Sequence, residues 1–235
     1  MRVTVHQPEH IPWPGFFHKI ARADVFVVLD NVQFRKNYFQ NRNKIRTPDG
    51  WAWITVPVHH SLHTLLQDVQ ISADERWKKK WLDSLYHAYC KAPYFDEYFP
   101  GLKNIINEPI SSLSALNLSL IRELCRLLGI KTRFVLASGL GASGQGSELI
   151  LSLCKKVNAK VYLSGVSGKD YLKLDDFSSA GIQVEFQEFH HPIYRQMHLP
   201  FMPCMSIVDL LFNYGKESLQ IINGVGIPVM EELFL

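Results

Sequence analysis

No stretch of this chain reaches the roughly 18 consecutive apolar residues that a membrane-spanning helix needs, and the opening MRVTVHQPEH has no apolar signal core. A cytoplasmic protein without a membrane span is expected. Cysteine is sparse: Cys90, Cys125, Cys154 and Cys204 stand far apart, with no CxxC and no Cys/His ligand spacing. This argues against a disulfide framework or a structural zinc site and predicts reduced thiols and no bound structural metal. Excess charge is missing too, since 25 Lys+Arg face 22 Asp+Glu, and a net +3 gives no footing for general binding to nucleic acid. There are no internal repeats, low-complexity segments or linkers. What is present is 235 residues, 47% of them hydrophobic, enough for a sizeable core in one domain.

Residues 2–6 (RVTVH) alternate as a short strand does. Pro8, Pro12 and Pro14 then forbid regular structure until a helix can run from about Gly15 to Ala23. The run DVFVVLD is continuous and β-branched, the pattern of a parallel strand buried on both faces, and a right-handed βαβ unit is the simplest connection. His6 and Asp30 would then end neighbouring strands on the carboxyl edge, where open α/β sheets bind ligands. Residues 42–58 (RNKIRTPDGWAWITVPV) set a Pro-Asp-Gly turn between two alternating segments and predict a β-hairpin. Residues 74–129 read as a helical insertion. Trp77, Trp81, Leu85 and Tyr89 recur every four residues while Lys78, Lys79 and Lys80 face away, and Leu113, Leu116, Leu120, Leu124 and Leu127 mark a helix that stops at Gly129. Then TRFVLA, SELILSLCKKVNA, KVYLSG and IQVEFQEF give strand, helix, strand and strand, with a last helix near SIVDLLFNYG. The predicted class is α/β, a mainly parallel Rossmann-like sheet in a single domain over residues 1–235.

Several segments could carry chemistry, and each has a plainer alternative. The prolines of HQPEHIPWPGFF hold the turn after the first strand so rigidly that it could present His6 and Gln7 to a ligand; it could also be a turn stapled by Trp13. SGVSGKDYL follows a strand. Gly165 and Gly168 permit close backbone approach, Ser164 can donate a hydrogen bond, Lys169 can neutralise a phosphate, and Asp170 and Tyr171 complete the group. A strand-to-helix turn capped by Asp170 is the alternative. DNVQFRKNYFQNRNKIR offers Asp30, Gln33 and Asn41, then Arg35, Lys36, Arg42, Lys44 and Arg46 among Tyr38 and Phe39, suited to a phosphorylated small molecule or to a solvated surface. GLGASGQGS matches GxGxxG at Gly139, Gly141 and Gly144. No acid ends the next strand, however, so a loop capped by Ser147 is the better expectation. His190 and His191 read as hydrogen-bonded structure rather than metal ligands. Asp209, among Ile207, Val208, Leu210 and Leu211, should face solvent or a buried partner such as His6 or Lys44.

The blocks HQPEHIPWPGFFHKIARADVFVVLDNVQFRKNYFQNRNKI, VYLSGVSGKDYL, FHHPIYRQ and FMPCMSIVDLLFNYG, in that order, resemble the WbqC-like protein family over nearly the whole chain. The resemblance implies a place in O-antigen or other surface-polysaccharide (lipopolysaccharide) synthesis and falls on His6, Gln7, Asp30, Gln33, Asn41, Arg42, Ser164, Gly165, Asp170, Tyr171, Ser206 and Asp209, among others. A fainter similarity joins the first βαβ to adenylate-forming nucleotidyltransferases of the pantothenate synthetase type. It implies a nucleotidyltransferase-like fold, with ATP and Mg as the cofactors.

The function expected is ATP-dependent joining of a small carboxylate, such as an amino acid, to a nucleotide-linked amino sugar. His6 and Lys169 would stabilise phosphate charge, Arg42 and Lys44 would hold the diphosphate, and Asp30 or Asp209 would orient the amine or act as base. The alternatives are an ATP-independent acyl or glycosyl transferase and a non-catalytic sugar-nucleotide-binding protein. In each, the partner is a sugar nucleotide or phosphorylated sugar and not a nucleic acid.

Overall fold

The computed structural model describes residues 1–225. Strand β1 (Arg2–His6) buries Val3, Thr4 and Val5, and Pro14 opens helix α1 (Pro14–Ala21) in the first turn, where its missing N–H costs nothing. Strand β2 (Val25–Val28) is buried throughout and runs parallel to β1, with Val3 opposite Val25 and His6 opposite Val28.

The chain then leaves the sheet. Strands β3 (Arg42–Thr47) and β4 (Gly50–Thr55) form an antiparallel hairpin of their own, turned by Pro48 and Asp49, with Gly50 at φ +126°. A smaller pair, β5 (Val58–His59) and β6 (Gln70–Ile71), precedes helices α2 (Arg76–Tyr89), α3 (Phe95–Asn107) and α4 (Leu113–Leu127). Helix α2 buries Trp77, Trp81, Leu85 and Tyr89, the stripe with four-residue spacing. Helix α4 is capped by Ser112, whose Oγ accepts from Ala115 N, and ends before Gly129 at φ +74°.

Strand β7 (Arg133–Leu136), helix α5 (Ser147–Lys156), strand β8 (Val161–Ser164), helix α6 (Leu174–Ser179) and strand β9 (Gln183–Phe186) complete the α/β pattern. Helix α7 (Ile207–Tyr214) is not the last, because α8 (Ser218–Ile222) follows it.

The five-stranded sheet has the order β7-β2-β1-β8-β9 with every pair parallel. Counting only its own strands along the chain, this is the doubly wound order of a Rossmann-like α/β fold. Side-chain alternation sends Val3, Val5, Val25 and Val27 to the face covered by α5 and α6, and Phe26 and Val28 to the face covered by α1 and the inserted helices.

The glycine-rich segment is a short 3-10 turn (Ala137–Leu140) and irregular chain. Ser147 does not cap α5. Gly146, at φ +52° and ψ −123°, holds that position in a conformation open to glycine, and Ser147 Oγ instead accepts from Lys173 N at 2.9 Å.

Candidate active site

Strands β1 and β8 are neighbours but pair only at Arg2–Val161 and Val3–Tyr162. Beyond that point Thr4 Oγ1 donates to Leu163 O at 2.8 Å, and the carboxyl ends at His6 and Ser164 part. This is the place where the winding of the sheet reverses, the topological switch point at which open α/β sheets hold ligands. A cavity of about 190 Å³ opens there. A larger groove of about 510 Å³ lies between α2 and α3, but two of its lysines, Lys78 and Lys79, are already paired with Glu75 and Asp83. The smaller cavity is therefore the better site. It lies at the strand ends, and its charged lining residues Glu9, Lys19 and Arg35 take part in no ion pair among the described residues.

The loop after β1 is fixed before any ligand arrives. Trp81 Nε1 can only donate, and it donates to His10 Nε2 at 2.8 Å. His10 Nδ1 must then carry the proton, which it donates to Asn117 Oδ1 at 3.0 Å. Asn117 Nδ2 in turn donates to Pro8 O and Gln40 O. Burial, offset in part by the Asn117 bond, lowers the pKa of His10 to about 4 and keeps it neutral. Gln40 Nε2 donates to Gln7 Oε1 at 2.6 Å, and Gln40 Oε1 accepts from Arg35 N at 2.7 Å, so the segment carrying Arg35 and Tyr38 is tied to the rim of the cavity. The Trp13 ring folds over Gly15, where any Cβ would lie 2.3 Å from it.

His6 Nδ1 lies 3.0 Å from Gln7 O. A carbonyl only accepts, so Nδ1 bears the proton and Nε2 presents a lone pair. Burial, reinforced by the charge of Lys19, lowers His6 to about 3. A neutral ring of this tautomer repels phosphate oxygens. In this form the ring carries no charge to offer a phosphate, and the cation whose charge it feels is Lys19.

Glu9 and Lys19 are the unanticipated pair. Both line the cavity, both are nearly sealed from solvent (6% and 4% exposed), and neither takes part in an ion pair among the described residues. Burial raises the Glu9 carboxyl to about 7 despite Lys19, and burial lowers the Lys19 ammonium to about 8 despite Glu9. Lys19 Nζ reaches Gly165, on which a Cβ would lie 3.8 Å away. Two groups brought near neutrality in one cavity can take up and give back a proton. Only Lys19 leaves a trace in the sequence, as the one lysine of a helix, PGFFHKIA, that is otherwise apolar on nearly every side.

Of the residues expected from the sequence, His6, Gln7, Ser164, Gly165 and Tyr171 line this cavity, joined by Arg35, Tyr38, Tyr162 and Ser167. Gly168 lies beneath it, and a Cβ there would fall 2.0 Å from Ser164 Oγ. The others lie elsewhere. Asp30 accepts from Ser138 N and Ser138 Oγ at 2.9 and 2.7 Å. Lys169 is exposed, with Nζ 5.4 Å from the Phe186 ring, and Asp170 is exposed beside it. Gln33 bridges Leu65 through its backbone, and Asn41 Nδ2 donates to Val56 O. Arg42 and Lys44 lie over Trp53 and Trp51. Ser206 Oγ donates to Ile11 O at 2.6 Å. Asp209 is buried, and its partners are Tyr194 Oη at 2.8 Å and Gln196 Nε2 at 2.9 Å, not His6 or Lys44. His191 Nε2 accepts from Cys204 N at 3.0 Å, a structural bond as expected.

Fold and cavity together define a doubly wound α/β protein with an acid–base pair at the switch point of its sheet. The pattern of the WbqC-like protein family matches residues 7–221, and the chain belongs to that family. It is also similar to Uncharacterized protein Rv1507c of Mycobacterium tuberculosis (strain ATCC 25618 / H37Rv), 34% identical over 221 residues that span 92% of this chain and 95% of the relative. No solved structure matches the chain. Among the described residues no helix is long and apolar enough to cross a membrane.

Proposed function

We propose that the protein is an enzyme of surface-polysaccharide synthesis that joins a small acyl group to the amine of a nucleotide-linked sugar, with ATP activating the carboxylate. The observation that carries this reading is the buried Glu9 and Lys19 at the carboxyl ends of β1 and β8, neither in an ion pair among the described residues. Burying an acid and a base without pairing them is costly to a fold, so a chemical use is the better account. As the amine nitrogen bonds to the acyl carbon, Glu9 takes its proton. Lys19, with Arg35 at the rim, balances the charge that gathers on the acyl oxygen and on the departing phosphate. The electron pair of the broken bond leaves with the phosphate oxygen. His6 orients the amine through the Nε2 lone pair. The polysaccharide setting is what membership of the WbqC-like family suggests.

Magnesium commonly takes one or two carboxylates together with substrate phosphates. Among the described residues Glu9 is the only carboxylate lining the cavity, and no three His, Cys, Asp or Glu are grouped to hold an ion. The residues therefore fit magnesium only as an ion carried in on ATP. The volume of about 190 Å³, below the ~300 Å³ of sites that enclose a whole small ligand, favours a second reading in which an acyl or glycosyl group arrives on another donor without ATP.

The deciding experiment incubates the protein with a UDP-linked amino sugar and, separately, ATP with a panel of amino acids or acyl-CoAs, and follows the sugar by mass spectrometry. Acylated sugar with release of AMP and pyrophosphate supports the ligase. Acylation from acyl-CoA alone supports the second reading. A melting-temperature shift with the sugar nucleotide and no turnover with any donor overturns catalysis and leaves a binding protein.

A further inference from the structure

We infer that the outer face of the β3–β4 hairpin is a subsite for the nucleoside diphosphate half of the substrate. This inference rests on the sugar-nucleotide reading above and extends it to residues outside the cavity.

A cavity of about 190 Å³ takes the reacting group and leaves the carrier outside. The surface next to the rim is unusual. Cross-strand partners share a face, so Lys44 stands beside Trp53, whereas Arg46, opposite Trp51, is buried and donates to the carbonyls of Thr47, Gly50 and Pro200. Trp51 and Trp53 are 43% and 38% exposed, a large apolar outlay for a residue that is normally well buried. Their ring centroids are 5.3 Å apart. Lys44 Nζ lies 4.5 Å from the centre of Trp51 and 5.7 Å from that of Trp53, and the Arg42 guanidinium lies 4.2 Å over Trp53. Among the described residues no carboxylate pairs with Arg35, Arg42 or Lys44. Aromatic faces flanked by unbalanced cations ask for a flat, anionic ligand: a base to stack and phosphates to neutralise.

This ledge runs into the cavity without a break. Trp53 meets Phe39 at 6.0 Å between centroids, Phe39 meets Tyr38 at 5.3 Å, and Tyr38 lines the cavity with the Arg35 guanidinium 4.7 Å over its ring. Arg42 Nη2 donates to Asn37 O, which ties the loop to the hairpin. A single-stranded nucleic acid would use the same chemistry. Two exposed indoles leading to a cavity of about 190 Å³ suit one nucleotide better than a strand.

The test is calorimetric titration of the whole protein with UDP, GDP, dTDP and ADP, and with an octathymidine. At least one diphosphate should bind more tightly per site than the oligonucleotide, and its affinity should fall as salt rises. Trp53→Ala, at an exposed position, should weaken it by roughly 5- to 150-fold, the range for loss of one stacked base. Trp51→Ala and Lys44→Ala should weaken it by lesser factors with unchanged melting temperatures. Glu9→Gln should leave it within about twofold, because Glu9 belongs to the reacting end. No binding of any of the four diphosphates, tighter binding of the oligonucleotide, or full affinity in Trp53→Ala would overturn the subsite. Diphosphate binding without acyl transfer from any donor would leave the subsite standing and bring down the catalytic reading alone.

Discussion

Replacing Glu9 by Gln should stabilise the protein above neutral pH, and by an amount the site itself sets. Burial raises this carboxyl from 4.5 to about 7. An acid whose folded pKa exceeds its unfolded value favours the fold below the unfolded value, and that contribution is lost as pH rises through the folded one. At pH 8 the ionised Glu9 costs the fold about 3 kcal/mol relative to a neutral isostere, and at pH 5 less than about 1 kcal/mol. Urea denaturation at both pH values should therefore show Glu9→Gln more stable than the parent by about 2 to 3 kcal/mol at pH 8 and nearly equal at pH 5, with m unchanged. The parent's own pH profile does not isolate the effect. His6 and His10, lowered to about 3 and about 4, act the other way and add stability as pH rises toward their unfolded value. The difference between parent and variant removes them. Loss of the Glu9 charge also removes the attraction that holds Lys19 up, so the gain falls toward the lower figure. A variant less stable at pH 8, or a difference that does not change between pH 5 and pH 8, would refute the account of Glu9 as an unpaired buried acid.

Two further changes separate packing from chemistry. Gly168→Ala should cost about 1 to 3 kcal/mol by forcing a methyl into Ser164 Oγ, and Ser164→Gly in the same chain should return most of it; urea titration of single and double variants checks the coupling. Asp209→Ala should cost about 3 kcal/mol by leaving the Tyr194 hydroxyl and one N–H of the Gln196 amide without an acceptor, the other staying on Met202 O, whereas Asp209→Asn, which keeps an oxygen, should cost less than about 1.5 kcal/mol and leave ligand affinity unchanged by calorimetry.

The sheet was legible because its strands are short runs, continuous (VFVV) or alternating (RVTVH, QVEF), bounded by turn residues. The continuous run VFVV announced a strand covered on both faces, and the Pro-rich turn with Pro14 at its end announced the start of α1. From these followed the edge that gathers His6, Gln7, Ser164 and Gly165. Less legible was which polar residues turn into that edge. Asp30 and Lys169 stand near strand ends in sequence, yet Asp30 is consumed by Ser138 and Lys169 turns to Phe186. Glu9 stands in the proline-rich turn, where no periodicity marks burial, and Lys19 is marked only by the apolar run around it. Only tertiary packing, with α1 wedged between sheet and α8, shows that both are enclosed. The tautomer of His6, and with it the role it can play, depends on one carbonyl that no spacing rule reveals.

Why Glu9 stays enclosed leads to Ile11 and from there to Ser206. Ile11 is a buried β-branched residue at φ +32°, a conformation that costs about 1 to 3 kcal/mol and persists only where the surroundings over-determine it. Its carbonyl accepts from Asn43 Nδ2 at 3.0 Å and from Ser206 Oγ at 2.6 Å, and Ser206 Oγ also accepts from Val208 N at the start of α7. Ser206 thus positions the Glu9 loop without lining the cavity. Ser206→Ala removes both bonds and should cost about 1 to 3 kcal/mol. If the strained turn then relaxes, water reaches Glu9 and its pKa falls toward the ordinary carboxylate value. The gain in stability from Glu9→Gln at pH 8, about 2 to 3 kcal/mol in the parent, should shrink below about 1 kcal/mol when Ser206→Ala is present, a double-mutant coupling read by urea denaturation. An unchanged gain would show that the turn holds its shape from Asn43 and the His10 network alone, and that Ser206 serves only α7.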